Sequence, residues 1–404
     1  MRLSTVTREQ LPEDQRRFHD AVRAIRRRPI SGPFIVTMNS SPDLAARFAH
    51  LGHYFHSRGQ ADESILALRV RTFVALVGSR LLDVPYEWNA WVGWALEAGV
   101  PQDTVDAIRE GKTPPNLTAE EALVKDFCTQ LAGGRHRVSD ATYQAALKHF
   151  GAQGVVELVV CLGYFAMIAF PLNAFEIAMS AEQMAMRKPF TPLDVAPHPG
   201  AAPRHDASAF ASLKPAAAAP RISRITKHDD LKHADQHFLD RIIRTRGHVS
   251  SLFQVLLHTP DVADRIATVG AFFLYETVLP PAIRTLVWLV TAREFDCEYA
   301  WAGSVHHARA AGLPPSLIDA LQRSESHAAA TDEQAVTIAF CHELMRGNHH
   351  ICDATYNRAV QHFSVPATIQ IAATLGYFAM MCCVANAFEL APQTDDSKDR
   401  KSVV

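Results

Sequence analysis

The chain has 404 residues, 48% of them apolar and 20% charged, a balance that excludes disordered, collagen-like and rod-like coiled-coil architectures. At about 100 to 150 residues per domain, this length allows more than one hydrophobic core. Lys and Arg number 40 against 42 Asp and Glu, for a formal net charge of −2, so the overall basic character of a dedicated nucleic-acid binder is absent.

The first twenty residues, MRLSTVTREQLPEDQRRFHD, carry charges throughout, which predicts neither a secretory signal nor a membrane anchor and implies a cytoplasmic protein. Further along, Leu66 to Ser79 is mostly apolar and helical in pattern. Trp88 to Ala98 is amphipathic and stops at Gly99, and a Pro-Gln-Asp start opens a helix at Val100 to Ile108. Thr118-Ala-Glu-Glu121 is a capping box before a helix ending near Leu131, and Ser139-Asp140 caps another ending near Phe150. Two longer runs, Val155 to Ile177 and Ala367 to Phe388, are apolar enough to span a bilayer. Each carries polar residues at corresponding places (Glu157 and Asn173, Gln370 and Asn386), which suits the centre of a large helical core better than a membrane. The seven cysteines are scattered and mostly inside apolar runs, as expected of reduced, buried thiols.

The two apolar runs also reveal a duplication. GYFAM followed by NAFE occurs at Gly163 to Glu176 and again, in the same spacing, at Gly376 to Glu389. The offset between those strings also aligns Arg71-Thr72 with Arg284-Thr285, Tyr86 and Trp88 with Tyr299 and Trp301, and Asp140 to Tyr143 with Asp353 to Tyr356. Upstream, SPDLAARFAHLGHYF from Ser41 matches TPDVADRIATVGAFF from Thr259 at an offset larger by five, so the first copy carries five extra residues around Gly59 to Ser64. Residues 190–221 lie between the copies, rich in Pro and Ala without hydrophobic period, and read as a semi-rigid linker. The expectation is an all-α protein of two tandem helical domains, residues 1–189 and 222–391, with a polar tail at 392–404.

The residues carry a family resemblance. Tyr86-Glu-Trp88, Ala95 to Val100 closing the same helix, VVELV at Val155 to Val159, GYF at Gly163 to Phe165 and LNAF at Leu172 to Phe175 resemble the carboxymuconolactone decarboxylase family, whose broader relatives include alkyl hydroperoxidase D. The opening segments LPEDQRRFHDAV, GPF and SPDLAARFAHLG fit its longer members, and the resemblance covers nearly the whole chain, once per repeat. It implies an alkyl hydroperoxidase D-like helical fold, catalysis without a cofactor and a pocket near the helix that starts at Tyr86. It also implies assembly into homo-oligomers, here a trimer with pseudo-hexameric packing or a dimer, because each chain supplies two units.

Where the peroxidase branch of that family has its Cys pair, His and Glu, this sequence has Val84, Glu87, Trp91 and Thr72 in the first copy. The second copy has Cys297, Ala300, Ser304 and Thr285. One Cys of four remains, so thiol peroxidase chemistry, which needs an activated thiolate and a resolving thiol, does not carry over. The decarboxylase branch places a Glu and a His where Thr72 and Trp91, and Thr285 and Ser304, now stand.

Chemistry must then come from other side chains. Glu87, among Tyr86, Trp88, Trp91 and Trp94, is a carboxyl that aromatic surroundings could desolvate into an acid or base, or a first-turn acid stabilised by the helix dipole. His307, with its neighbour His306, lies one helical turn beyond Ser304 and could act as a displaced general base, or be a partly exposed polar pair. Arg71 and Arg284 recur on an apolar helix and could hold a substrate carboxylate, although structural pairing, in the first copy with Glu157, is the commoner use of such residues. Tyr164, Tyr377, Asn173 and Asn386 must find hydrogen-bond partners within the long helix. His50, His53 and His56, three residues apart, spread too far around a helix to hold one metal ion, so no metal site is expected.

The sequence thus supports a cofactor-independent enzyme acting on a small organic acid, lactone or aromatic metabolite by decarboxylation or proton-transfer lyase or isomerase chemistry. Its expected pocket is lined by Tyr86, Trp88, Trp91, Trp94, Tyr299 and Trp301, with Glu87, His306 or His307 as catalytic groups and Arg71 or Arg284 binding an anion. A small molecule is the expected partner, with neither nucleic acid nor membrane. The alternatives are a scaffold whose ancestral sites have decayed and a residual thiol role for Cys297; a ligand-sized cavity beside Glu87 or His307 would favour the enzyme.

Overall fold

Helical periodicity in the sequence is realised as sixteen α-helices, with no strand among the described residues, so the protein is all-α. The computed structural model describes residues 2–57, 63–133, 136–177, 221–325 and 330–392. The expected linker, except Arg221, and the tail beyond Pro392 lie outside the described residues, as do residues 58–62 beside and within the insertion.

In the first half the helices are α1 (Arg16–Arg26), α2 (Pro33–Met38), α3 (Pro42–His56), α4 (Leu68–Leu81), α5 (Pro85–Glu97), α6 (Gln102–Arg109), α7 (Ala119–Ala132) and α8 (Asp140–Ala174). The second half repeats the order as α9 (Gln236–Arg246), α10 (Ser251–Leu256), α11 (Pro260–Ala271), α12 (Pro281–Glu294), α13 (Glu298–Ala310), α14 (Pro315–Arg323), α15 (Asp332–Met345) and α16 (Asp353–Ala387). Start signals act as their chemistry requires. Thr118 Oγ1 accepts from Glu121 N at 3.1 Å while Glu121 accepts from Thr118 N at 2.9 Å, closing the capping box of α7.

The two helices expected around Asp140 to Phe150 and Val155 to Ile177 follow one another along α8 and are parted at Gly151, whose backbone is not helical (φ 68°, ψ 178°). Ser364, its counterpart in the second copy, breaks α16 in the same way (φ 69°, ψ 164°), without the freedom of glycine. Left-handed backbone recurs at equivalent places, at Asp83 and Asp296, His136 and His349, and Glu176 and Glu389. Buried polar groups repeat as well. Asn173 donates to Leu82 O and Asn386 to Phe295 O, at 3.1 and 2.7 Å. Glu157 accepts from Ser64 Oγ and Ile65 N, and Gln370 Oε1 from Thr277 Oγ1 and Val278 N.

The halves do not keep separate cores. One hydrophobic cluster runs through both, and α8 and α16 lie against each other at its centre. Their apolar stretches are long enough to cross a membrane, and in this fold 100% and 94% of those windows are buried by protein. The crossing is reciprocal. A Cβ on Gly376 would strike the backbone carbonyl of Met167, and one on Gly163 would come within 2.7 Å of Met380 Cγ. Peripheral contacts reciprocate too: Arg2 bonds Ala174 O and Asp353 and lies over the Tyr356 ring, while Arg221 bonds Ala387 O and Asp140 and lies over Tyr143. Arg47 reaches Glu276 and Arg265 reaches Glu63. Each patch therefore meets its own counterpart, as in a two-fold dimer, but within one chain.

Gly376→Ala, which drives a methyl into backbone that cannot turn aside, is expected to cost about 3 kcal/mol. Ser364→Gly is expected to add about 1 kcal/mol by relieving the break in α16. Urea unfolding of the two variants against wild type measures both.

Candidate functional site

Each half encloses a cavity at the same place, between the N-terminal part of its α5 or α13 helix, its short α2 or α10 helix and the Tyr of its GYF motif. The first, of about 310 Å3, is lined by Arg26, Arg28, Gly32, Phe34, His56, Tyr86, Glu87, Asn89 and Tyr164 among others. The second, of about 260 Å3, is lined by Arg246, Phe253, Trp288, Tyr299, Ala300, Ser304, His307, Tyr377 and Phe378 among others. Tyr86 and Tyr299, Glu87 and Ala300, and Tyr164 and Tyr377 occupy equivalent positions in the two copies. The one pocket expected from the sequence is therefore two.

Glu87 is the chemical centre of the first cavity. It falls on the first turn of α5 because Pro85 starts that helix, and its side chain is only 4% exposed. Burial pushes its carboxyl up to about 7, against the opposing influence of the Trp91 indole, which donates to Glu87 Oε2 at 3.0 Å, and of the Arg28 charge. His56, the last residue of α3, has its Nδ1 2.6 Å from Gly52 O. A carbonyl can only accept, so Nδ1 carries the hydrogen and Nε2 is left as an acceptor. Burial holds this imidazole neutral, pushed down to about 3, between the rings of Trp91 and Tyr164. The Tyr164 hydroxyl sits so close to Gly52 that no side chain fits there, and burial together with the nearby Glu87 raises its pKa. Arg26, over the Phe34 ring, and Arg28, at the rim, bring positive charge without a salt bridge to any carboxylate among the described residues.

The second cavity lacks the carboxyl, since Ala300 replaces Glu87, and Ser304 replaces Trp91. Trp288 supplies bulk from α12 instead, where the first half has Ala75; its ring stacks on Phe378 at 4.6 Å and meets His307 edge-on at 5.8 Å. Arg246, the last residue of α9 as Arg26 is of α1, donates from Nη2 to Tyr377 Oη at 3.0 Å.

Several expected site residues lie elsewhere. Arg71 is fully buried and donates to Phe55 O and Ser57 O, and Arg284 donates to Leu274 O. Both tie down the end of the preceding helical segment, and neither lines a cavity. Trp88 and Trp301 are buried in the core, Trp94 packs on Trp91 and His56, and His306 is exposed beside His307 without lining the cavity. Helix geometry explains the tryptophans: positions 88 and 301 lie about 200° around the helix from Tyr86 and Tyr299. Thr72 and Thr285 spend their hydroxyls on carbonyls of their own helices. Cys297 is fully buried, and Cys352 alone among the seven cysteines is exposed. No group of three or more His, Cys, Asp or Glu side chains suited to a metal occurs among the described residues.

Sequence reasoning missed Arg26, Arg28, Arg246, His56 and Trp288 as lining residues. The signal available was the upstream repeat alignment, which carries His56 onto Leu274 and so marks a polar substitution peculiar to one copy. Comparison with known protein families, with curated proteins and with solved structures finds no match to this chain.

A carboxyl raised from the ordinary 4.5 to about 7 gives stability that is complete below the lower value and is lost as pH climbs through the higher. Glu87→Gln keeps the acceptor for Trp91 and removes the ionisation. Relative to wild type, this variant is expected to gain up to about 3 kcal/mol as pH rises across that interval. Chemical denaturation at a series of pH values reads the difference; a constant offset would mean that Glu87 does not titrate there.

Proposed function

We propose that the protein is a cofactor-independent enzyme, related to the carboxymuconolactone decarboxylases, that moves a proton on a small organic acid, lactone or aromatic acid bound in the first cavity. The observation that carries this reading is Glu87: a buried carboxyl with a pKa of about 7, at a ligand-sized cavity that also holds two arginines. A general acid or base works best when its pKa lies near the working pH. Arg26 and Arg28 bind the substrate carboxylate, Tyr164 donates a hydrogen bond to a developing enolate or leaving oxygen, and the neutral His56, an acceptor at Nε2, takes one from a substrate hydroxyl.

In a decarboxylation, the C–C bond breaks to release carbon dioxide, its electron pair stays on the substrate carbon, and neutral Glu87 protonates that carbon before regaining a proton from water. In an isomerisation, the same carboxylate removes a proton and returns it at a second position. The paired helix order and the reciprocal inter-half contacts support the further reading of two fused alkyl hydroperoxidase D-like units; assembly with other chains as a trimer or dimer rests on the family resemblance alone. The decayed-scaffold reading draws on Thr72 and Thr285, whose hydroxyls are committed to their helices, but it leaves the raised Glu87 carboxyl and its cavity without a role.

A panel of lactones and aromatic and aliphatic carboxylic acids, followed by NMR for carbon dioxide loss and for deuterium uptake from solvent, tests the proposal. For any substrate found, Glu87→Gln is expected to lower kcat by about 100-fold or more. Arg28→Met is expected to act mainly on KM. Wild-type kcat is expected to change across an apparent pKa near 7, falling at higher pH if the acid form acts. Turnover indifferent to Glu87→Gln would reject the assignment, and no turnover on any member would favour the scaffold.

A further inference from the structure

The second cavity is built from different chemistry, and its lining residues include no Asp or Glu. Arg246 has no carboxylate partner among the described residues; its guanidinium lies 4.3 Å over the Phe253 ring and holds the Tyr377 hydroxyl, while its Nε is buried without a hydrogen-bond partner. The Trp288 indole Nε1–H is likewise buried and unpartnered, in a side chain only 3% exposed. Neither of these two atoms opens onto the cavity, but Arg246 is the one Arg or Lys of the lining and faces no carboxylate there, so the cavity favours an anionic ligand. Phe378 stacks face to face on Trp288 and is itself only half-buried, so it offers the cavity an aromatic surface suited to an aromatic body.

We propose that this cavity is a second, non-catalytic binding site for an aromatic carboxylate of one or two rings. The carboxylate pairs with the Arg246 guanidinium, and the ring packs against Phe378. Ala300, in place of Glu87, leaves the site without the carboxyl that would act on the ligand. His307 closes the rim, edge-on to Trp288. The site is independent of the reaction assigned to the first cavity.

Isothermal titration with 1-naphthoate, and with 1-naphthalenemethanol as the uncharged counterpart, tests the site. Gly303 lines the cavity on α13, and a Cβ added there meets no atom within 4 Å, so Gly303→Leu fills the space without disturbing the helix. The expected result is one binding event that Gly303→Leu and Arg246→Met each weaken at least tenfold, that the alcohol reproduces at least tenfold more weakly, and that survives Glu87→Gln. If Arg246→Met fails to fold, as circular dichroism would reveal, Gly303→Leu and the alcohol decide alone. No binding to wild type, an isotherm unchanged in Gly303→Leu, or equal affinity for the alcohol overturns the proposal. Naphthoate binding abolished instead by Ala90→Leu, which fills the first cavity, also overturns it. Because the readout is binding rather than turnover, loss of activity in Glu87→Gln leaves this result separately legible.

Discussion

The contact on which the rest of the structure depends is the crossing of α8 and α16, where Gly163 admits Met380 and Gly376 admits the Met167 backbone. Two long apolar helices can bury each other only if their axes come close, and here a missing Cβ on each side permits it. Interiors pack as densely as organic crystals, so such an approach leaves little tolerance for added volume. The outer helices then cover what the crossing leaves exposed, and Arg2 with Arg221 and Arg47 with Arg265 fasten the perimeter in matching pairs.

The same five-residue motif that sets the crossing also sets the cavities. In GYFAM the Gly and the Met are four residues apart and share one helix face, so both point at the partner helix. The Tyr and Phe between them turn to the other side, where Tyr164 and Tyr377 line the two cavities and Phe165 packs against Trp91. A single sequence element thus fixes the core and the floor of the site, which couples any change in helix packing to cavity shape.

The all-α class, the caps of α7 and α8, and the repeat were legible in the sequence because each rests on local patterns: hydrophobic period, capping residues and identical strings. The place of Glu87 was legible too, since four aromatic residues stand within two helical turns of it. Cation assignment was not. Arg71 and Arg284 recur in apolar surroundings, which suits an anion binder or a structural pair alike, and they hold backbone carbonyls at the ends of the helical segments before them. The arginines that do line the cavities sit at the end of α1 and α9 or just beyond, separated from the aromatic helix by three intervening helices in each half, and only tertiary packing brings them there. The single core running through both halves was equally hidden, because a repeat fixes what each copy contains and not how the copies dock.

The two cavities show how a duplicated pocket can change its lining chemistry through exchanges of bulk. In the first half Trp91 fills space from α5 and its indole holds Glu87, so the carboxyl is both buried and oriented. In the second, Ser304 vacates that space and Trp288 fills from α12, with its indole hydrogen left unmet. The two tryptophans thereby differ in role: one indole satisfies an acid, and the other fills space without a hydrogen bond. Restoring the carboxyl alone, by Ala300→Glu, would place it near Arg246 without Trp91's counterpart to hold it; an ion pair with the guanidinium would lower its pKa and defeat proton transfer near neutral pH. The difference between the two cavities therefore rests on the two tryptophans as much as on Glu87.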